Sequence, residues 1–155
     1  MVDAKVRTCL WFDSEAEEAV NFYVSLIPSS RVETVFRPDP DGPPLVVNFT
    51  LGGTAYLALN GGPRFEHSEA ASICVLTQDQ EETDRLWAAL TADGGREGQC
   101  AWLKDRYGLS WQIVPEALPR LLSDPDREAA ARVMQAMMSM GKIEIAQLEA
   151  AYRGQ

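Results

Sequence analysis

The sequence predicts an α+β fold in which two βαβββ modules follow one another, over residues 5–62 and 70–115, with helices over 116–155, all within one domain of 155 residues. Three observations predict it. A strand-like run, an amphipathic helix and three more strand-like runs occur twice, and Glu17-Glu18 with Phe22-Tyr23 correspond to Glu81-Glu82 with Leu86-Trp87 at an offset of about 64 residues. Glycine-bearing turns separate the runs where hairpins require positive φ. From Glu116 onward the composition shifts to helix formers with no counterpart in the first half.

Composition bounds what such a fold can do. A chain 46% hydrophobic is rich enough in apolar residues for one substantial core. The formal charge of −9 argues against nucleic acid and anionic membrane as partners, since both require clustered Lys and Arg. No apolar run approaches the ~20 residues that span a bilayer, and MVDAKVRTCLWFD lacks the apolar centre of a secretion signal, so a cytoplasmic location is expected. Cys9, Cys74 and Cys100 are odd in number, without CxxC spacing, and fall in strand-like runs; reduced, buried thiols are expected.

Taken in order, Val6–Phe12 is rich in strand formers and stops at Asp13-Ser14. Ser14 and Glu17 have the spacing of a capping box, and Ala19, Val20, Tyr23, Leu26 and Ile27 form the apolar stripe of a helix ending before Pro28. Arg31–Arg37 alternates as a strand, and PDPDGPP over 38–44 holds too many prolines to pair. Leu45–Leu51, Gly52-Gly53 and Thr54–Asn60 form a hairpin; a connector carrying the single histidine, His67, runs to about Glu69.

The pattern then restarts. Ala71–Thr77 is an apolar run, Asp79 and Glu82 repeat the capping box, and Thr83, Leu86, Trp87 and Leu90 form the helical stripe before Gly94-Gly95. Arg96–Gln99, Cys100–Lys104 and Leu109–Val114 complete the second module around the turn Lys104–Gly108. In the tail, Ser123 with Asp126 is expected to cap a helix carrying Ala130, Val133, Met134 and Met137 and closed by Gly141. A last helix carries Ile145, Leu148 and Tyr152. The methionine-rich stripe suits packing on its own domain or a dimer contact.

The segments CLWFDSEAEEAVNFYVSLIPSS, LALNGGP, CAWLKDRYGLSWQIVP and LLSDPDREAAARVMQAMMSMGKIEIAQLEAAY resemble the PhnB-like proteins of the vicinal oxygen chelate superfamily. The resemblance is to the branch labelled 3-demethylubiquinone-9 3-methyltransferase. It implies a cupped eight-stranded sheet with helices outside and a small-molecule cavity inside. In chelating members metal ligands stand on the first and last strands of each module. Carried over, these positions are Ala58, Gln112, Arg7 or Thr8, and Ala71 or Ser72, and only Gln112 is a plausible ligand. No metal is therefore expected, because a divalent ion needs several converging His, Asp or Glu groups. His67 reads as a surface histidine. The methyltransferase label implies S-adenosylmethionine, yet no glycine cluster opens a helix here.

Strand parity gives a candidate lining. If Gln112 faces the cup, Ser110 and Val114 join it while Leu109, Trp111 and Ile113 pack beneath helices. By the same logic Tyr56, Ala58 and Asn60 face inward, with Trp11, Arg7 and Cys9, or in the alternative register Phe12, Leu10 and Thr8. Trp102 is a ligand platform or rim packing, and Lys104 and Asp105 read as solvated turn residues. The candidate ligand-binding set is Gln112, Trp11, Arg7, Tyr56, Asn60, Trp102 and Ser110; no catalytic residue is assigned. Two functions fit: a metal-free module binding an aromatic or amphipathic organic molecule, or an enzyme acting on a quinone or related aromatic. The resemblance also implies a homodimer, swapped or unswapped.

Overall fold

The structure is a computed structural model and describes residues 3–155, so Met1 and Val2 of the expected domain lie outside the described residues. The chain divides into two compact units, the first ending at His67 and the second beginning at Ser68. The βαβββ order holds in both, and the eight strands hydrogen-bond as two four-stranded sheets.

In the first unit β1 (Thr8–Phe12) is followed by α1 (Ala16–Leu26), β2 (Arg31–Phe36), β3 (Val46–Leu51) and β4 (Thr54–Asn60), paired in the order β1-β4-β3-β2. The β1–β4 pair is parallel because α1 and two strands intervene, whereas β3 and β4 are joined by Gly52 and Gly53 at φ 56° and 86° and run antiparallel. Registers Leu10↔Ala58, Val47↔Ala58 and Phe49↔Tyr56 put Leu10, Phe12, Val47, Phe49, Tyr56 and Ala58 on one face. That face meets Ala16, Ala19, Val20 and Tyr23 of α1, all fully buried. Edge strand β2 bulges between Val32 and Thr34 and leaves Val35 and Phe36 exposed.

The N-terminus of α1 is held differently from the expectation. Ser14 makes no cap; the residue before the helix is Glu15, without a side-chain cap bond, and the Ala16 N–H donates to Asn60 Oδ1 at 2.9 Å. The cap therefore comes from the end of β4, 44 positions away, which no local spacing rule reveals.

The second unit contains β5 (Ser72–Thr77), α2 (Gln80–Thr91), β6 (Arg96–Glu97), β7 (Trp102–Lys104) and β8 (Ser110–Pro115), in the sheet order β5-β8-β7-β6. Asp79 caps α2 through the Glu82 N–H at 2.8 Å, and Glu82 reaches back to accept from Gln78 N–H. Thr83, Leu86, Trp87 and Leu90 are its buried stripe, as expected. They lie over the sheet face of Ile73, Leu103, Trp111 and Ile113.

The turn Lys104–Gly108 departs from the solvated reading. Asp105 is 2% exposed, and its carboxylate accepts from Tyr107 N–H at 2.8 Å, Leu109 N–H at 3.0 Å and Trp111 Nε1–H at 2.9 Å. A short turn can bury a carboxylate when enough donors converge on it.

Three helices follow: α3 (Ala117–Leu122), α4 (Arg127–Met138) and α5 (Ile145–Arg153). Asp126, not Ser123, caps α4, accepting from Ala129 N–H at 3.0 Å. The helix ends at Met138, before Gly141, whose carbonyl accepts instead from Ala101 N–H at 3.0 Å, while Met140 O accepts from Cys100 N–H at 2.8 Å. Cys100 and Ala101 reach those bonds with φ of 56° and 76°, so the expected strand over 100–104 starts only at Trp102. Val133, Met140, Ile143 and Leu148 build a core with Ala101, Leu118 and Leu121, leaving Met134 and Met138 exposed. The tail thus packs on its own unit. Cys9 and Cys74 are exposed rather than buried, because both sit on sheet faces turned away from α1 and α2.

Two substitutions test these devices. Asp105→Ala strands a buried indole N–H and two backbone N–H groups and should cost about 3 kcal/mol in chemical denaturation. Asn60→Ala should cost about 1 kcal/mol, whereas Ser14→Ala should change stability by less than about 0.5 kcal/mol.

Candidate functional site

The sheet face of the second unit opposite α2 carries two transverse rows set by register. Ser72↔Ser110, Lys104↔Ser110 and Arg96↔Lys104 align Ser72, Ser110, Lys104 and Arg96 across all four strands; Cys74↔Gln112 and Trp102↔Gln112 form the next row. Ser110, Gln112 and Val114 fall on this face, and Trp111 and Ile113 on the other, as the sequence parity requires.

Over the end of these rows lies a cavity of about 590 Å³, lined by Trp102, Ser110, Lys104, Arg96, Glu69 and Glu97 with the backbone turn at Gly98-Gln99. This is ample for a bicyclic organic molecule. Ser110 is 0% exposed, yet its Oγ has no hydrogen-bond partner. Lys104 Nζ pairs with Glu69 Oε1 at 2.8 Å; that hydrogen bond, with a backbone bond and the nearby charge of Lys104, holds the Glu69 carboxyl below the usual glutamate range. Glu97 points to the helix side, where Oε1 accepts from Trp87 Nε1–H at 2.6 Å.

Gln112 does not line this cavity. Its Nε2 donates to Ser72 Oγ at 2.9 Å, so the amide expected to need a ligand or water is bonded within the sheet. Of the two positions considered on the first strand of this module, Ser72 shares the face of Gln112 and Ala71 precedes the strand.

The first unit presents its candidates differently. Arg7 borders a hollow of about 460 Å³ with Glu33, Asn48 and Thr50, but its guanidinium is committed: Nη2 donates to Glu33 Oε2 at 2.5 Å and Asp3 Oδ1 at 2.8 Å, and Nη1 to Tyr56 O at 3.1 Å. Thr50 Oγ1 donates to the other oxygen of Glu33, the leading cause holding that carboxyl low, with Arg7 also contributing. Trp11 shares the open face with Cys9, opposite Leu59. Its Nε1–H donates to Gly62 O at 2.9 Å, its ring meets Phe65 edge-on at 4.9 Å, and Gly61 lies so close to the indole that any Cβ would collide with it. Trp11 anchors the connector.

Tyr56, Ala58 and Asn60 correct the inward assignment, since all three stand on the α1 side. Tyr56 stacks on Phe49 at 5.3 Å, where burial pushes its phenol pKa up; Ala58 is 0% exposed; Asn60 accepts from Ala16 N–H and donates to Pro44 O at 3.0 Å. The parallel register Leu10↔Ala58 groups Tyr56, Ala58 and Asn60 with Leu10 and Phe12, whereas Cys9 and Trp11 share the opposite face with Leu57 and Leu59. His67 is half-buried, ring edge on Phe12 at 5.6 Å, with Nε2 buried and without a partner, rather than a surface residue.

The donors at the carried-over chelating positions do not fit a divalent ion. Ser72 and Gln112 bond each other, Arg7 is cationic, Thr8 stands alone as a hydroxyl and Ala58 offers no ligand atom; among the described residues no three His, Cys, Asp or Glu side chains converge. Nor does an S-adenosylmethionine cradle of the strand-turn-helix kind fit. The N-terminus of α1 is closed by Asn60 and that of α2 by the Asp79 carboxylate, and neither is opened by glycine. Sequence reasoning missed Arg96, Lys104 and Glu69. Counting outward from the hairpin turn to pair Lys104 with Ser110 would have signalled the first two; Glu69, in a connector, gave no signal.

Comparison with known proteins gives a consistent relationship. The family model described as 3-demethylubiquinone-9 3-methyltransferase matches residues 4–114. A PhnB protein from Bacillus cereus superposes with a TM-score of 0.65 at 30% identity, covering 72% of this chain and 99% of its own. A protein from Pseudomonas aeruginosa superposes at 0.58 with 20% identity, over 74% of this chain and 98% of its own. A glyoxalase/bleomycin resistance protein from Albidiferax ferrireducens does so at 0.50 with 14% identity, over 71% and 96%, and shows likeness of fold alone. No curated protein sequence matches the chain. The match across both modules and the identity to the Bacillus cereus PhnB protein mean that this chain belongs to the 3-demethylubiquinone-9 3-methyltransferase family.

Proposed function

We propose that the protein binds a small aromatic or amphipathic organic molecule in the cavity of its second unit, without a metal ion. The observation that carries this reading is the buried, unpartnered Ser110 hydroxyl beside the indole of Trp102 in a space of about 590 Å³. A buried hydroxyl without a partner is an uncommon cost in a folded protein, and a ligand acceptor or donor would remove it. Trp102 supplies a flat apolar wall that favours a planar partner. Metal-independence rests on the donor set at the chelating positions.

A second reading draws on the family description, which names a methyltransferase acting on a demethylated ubiquinone. Under it the same cavity would take a quinone or related aromatic. The capped helix N-termini count against the strand-turn-helix mode of cofactor binding, so this reading requires another mode. A cytoplasmic place belongs to the proposal as well; among the described residues no helix is long and apolar enough to cross a membrane. A homodimer belongs to the proposal too, with the exposed Met134 and Met138 of α4 as its contact.

Thermal-shift measurements discriminate between the two functions. Planar aromatics should raise the Tm, and Trp102→Leu should abolish that response; S-adenosylmethionine and divalent cations should leave the Tm unchanged. Stabilisation by S-adenosylmethionine would transfer support to the enzyme, and a tight stoichiometric metal site would end the metal-free reading. For assembly, sedimentation of the full chain should give a dimer that Met134→Lys with Met138→Lys dissociates; an unaffected dimer removes α4 from the interface.

A further inference from the structure

The charges around the cavity are unevenly matched. Arg96 and Lys104 are directly opposed on neighbouring strands, an arrangement that is destabilising unless an anion lies between or beside them. Lys104 has Glu69 at 2.8 Å, and the same carboxylate also feels the charge of Arg96, which makes no ion pair of its own among the described residues; Glu97, the sequence neighbour of Arg96, accepts from Trp87 Nε1–H on the helix side. Arg96 and Lys104 thus share the carboxylate of Glu69, while Glu97, also at the cavity, is engaged by Trp87. A guanidinium and an ammonium side by side around one exposed carboxylate favour a further anion between them.

Ser110 extends the same row. Lys104 is its cross-strand partner, and its buried Oγ is a donor without an acceptor, so three donor-bearing side chains of β6, β7 and β8 stand in line at one end of the cavity. The adjoining row contributes Trp102. An indole wall beside a line of donors selects a ring that carries an oxyanion.

On the reading that this cavity is the binding site, we infer that its ligand class is a planar aromatic bearing a single carboxylate or comparable oxyanion, held by Arg96, Lys104 and Ser110 with its ring against Trp102. Glu69 is the resident counterion that such a ligand displaces. Its side chain is 67% exposed, so it can swing into water when the ligand anion takes its place on Lys104. No bond is made or broken in this step.

The test compares a naphthalene carboxylate with its neutral carboxamide, which share the ring and differ in charge, by tryptophan fluorescence titration and Tm shift. The carboxylate should bind about tenfold more tightly at low ionic strength, with the gap shrinking as salt is added. Arg96→Gln should close the gap by weakening the carboxylate more than the carboxamide, and Glu69→Gln should widen it. Equal affinities, both abolished by Trp102→Leu, overturn the oxyanion inference and leave the binding site standing. A preference that survives Arg96→Gln also overturns it. Binding of neither compound to protein with an intact circular dichroism spectrum overturns the inference together with the reading on which it rests.

Discussion

The buried carboxylate of Asp105 is the constraint on which the second unit depends. Two backbone N–H groups and the Trp111 indole converge on it, so the tip of the β7–β8 hairpin has one conformation, with Gly108 at φ 84° completing the turn. That conformation sets Lys104 against Ser110, Leu103 against Trp111 and Trp102 against Gln112. Because side chains alternate strictly along a strand, a slip of one residue would put Trp111 in the cavity and Ser110 under α2. The carboxylate lies outside the cavity and makes no claim on a ligand. Its part is to decide which side chains can reach one.

Two modules built on one pattern have used their polar residues to opposite ends. In the first, Asn60 closes a helix N-terminus, Arg7 is enclosed by two carboxylates and two carbonyls, and the indole N–H of Trp11 is taken by Gly62. Each group is satisfied internally, which stabilises the fold and leaves little directional capacity for a ligand. In the second, Gln112 is satisfied by Ser72, but the row beside it holds an unpartnered Ser110 hydroxyl and a guanidinium that shares the Glu69 carboxylate with Lys104.

The C-terminal helices shape the cavity from behind. Cys100 and Ala101 take up left-handed backbone conformations to donate to Met140 and Gly141, and this fixes the Gly98–Ala101 segment as a corner whose ends remain bonded to the sheet, Gly98 N–H to Trp102 O and Ala101 O from Ile113 N–H. Gly98 itself admits no side chain, because a Cβ there would lie 2.7 Å from the Trp102 carbonyl oxygen. Burial of Val133, Ile143 and Leu148, each 0% exposed and worth roughly 1.5–3 kcal/mol, keeps the tail in place and so keeps that corner formed. The family match ends at residue 114, so this support belongs to the part of the chain beyond it.

The sequence by itself determined the order of elements, the diglycine hairpin, the capping box of α2 and the split of Ser110, Gln112 and Trp111 between faces. All of these rest on period-two alternation or on contacts within four residues, and such information is local. Tertiary structure alone decided that Asn60 rather than Ser14 caps α1, that Asp105 is buried, and that Tyr56 and Asn60 face the helix. It also decided that Arg96, Lys104 and Glu69 meet around the cavity. Those outcomes depend on which strand lies beside which, on donors arriving from distant positions, and on a connector whose composition carries no periodicity. A side chain's partner across a sheet is set by register, and register is a property of the folded chain.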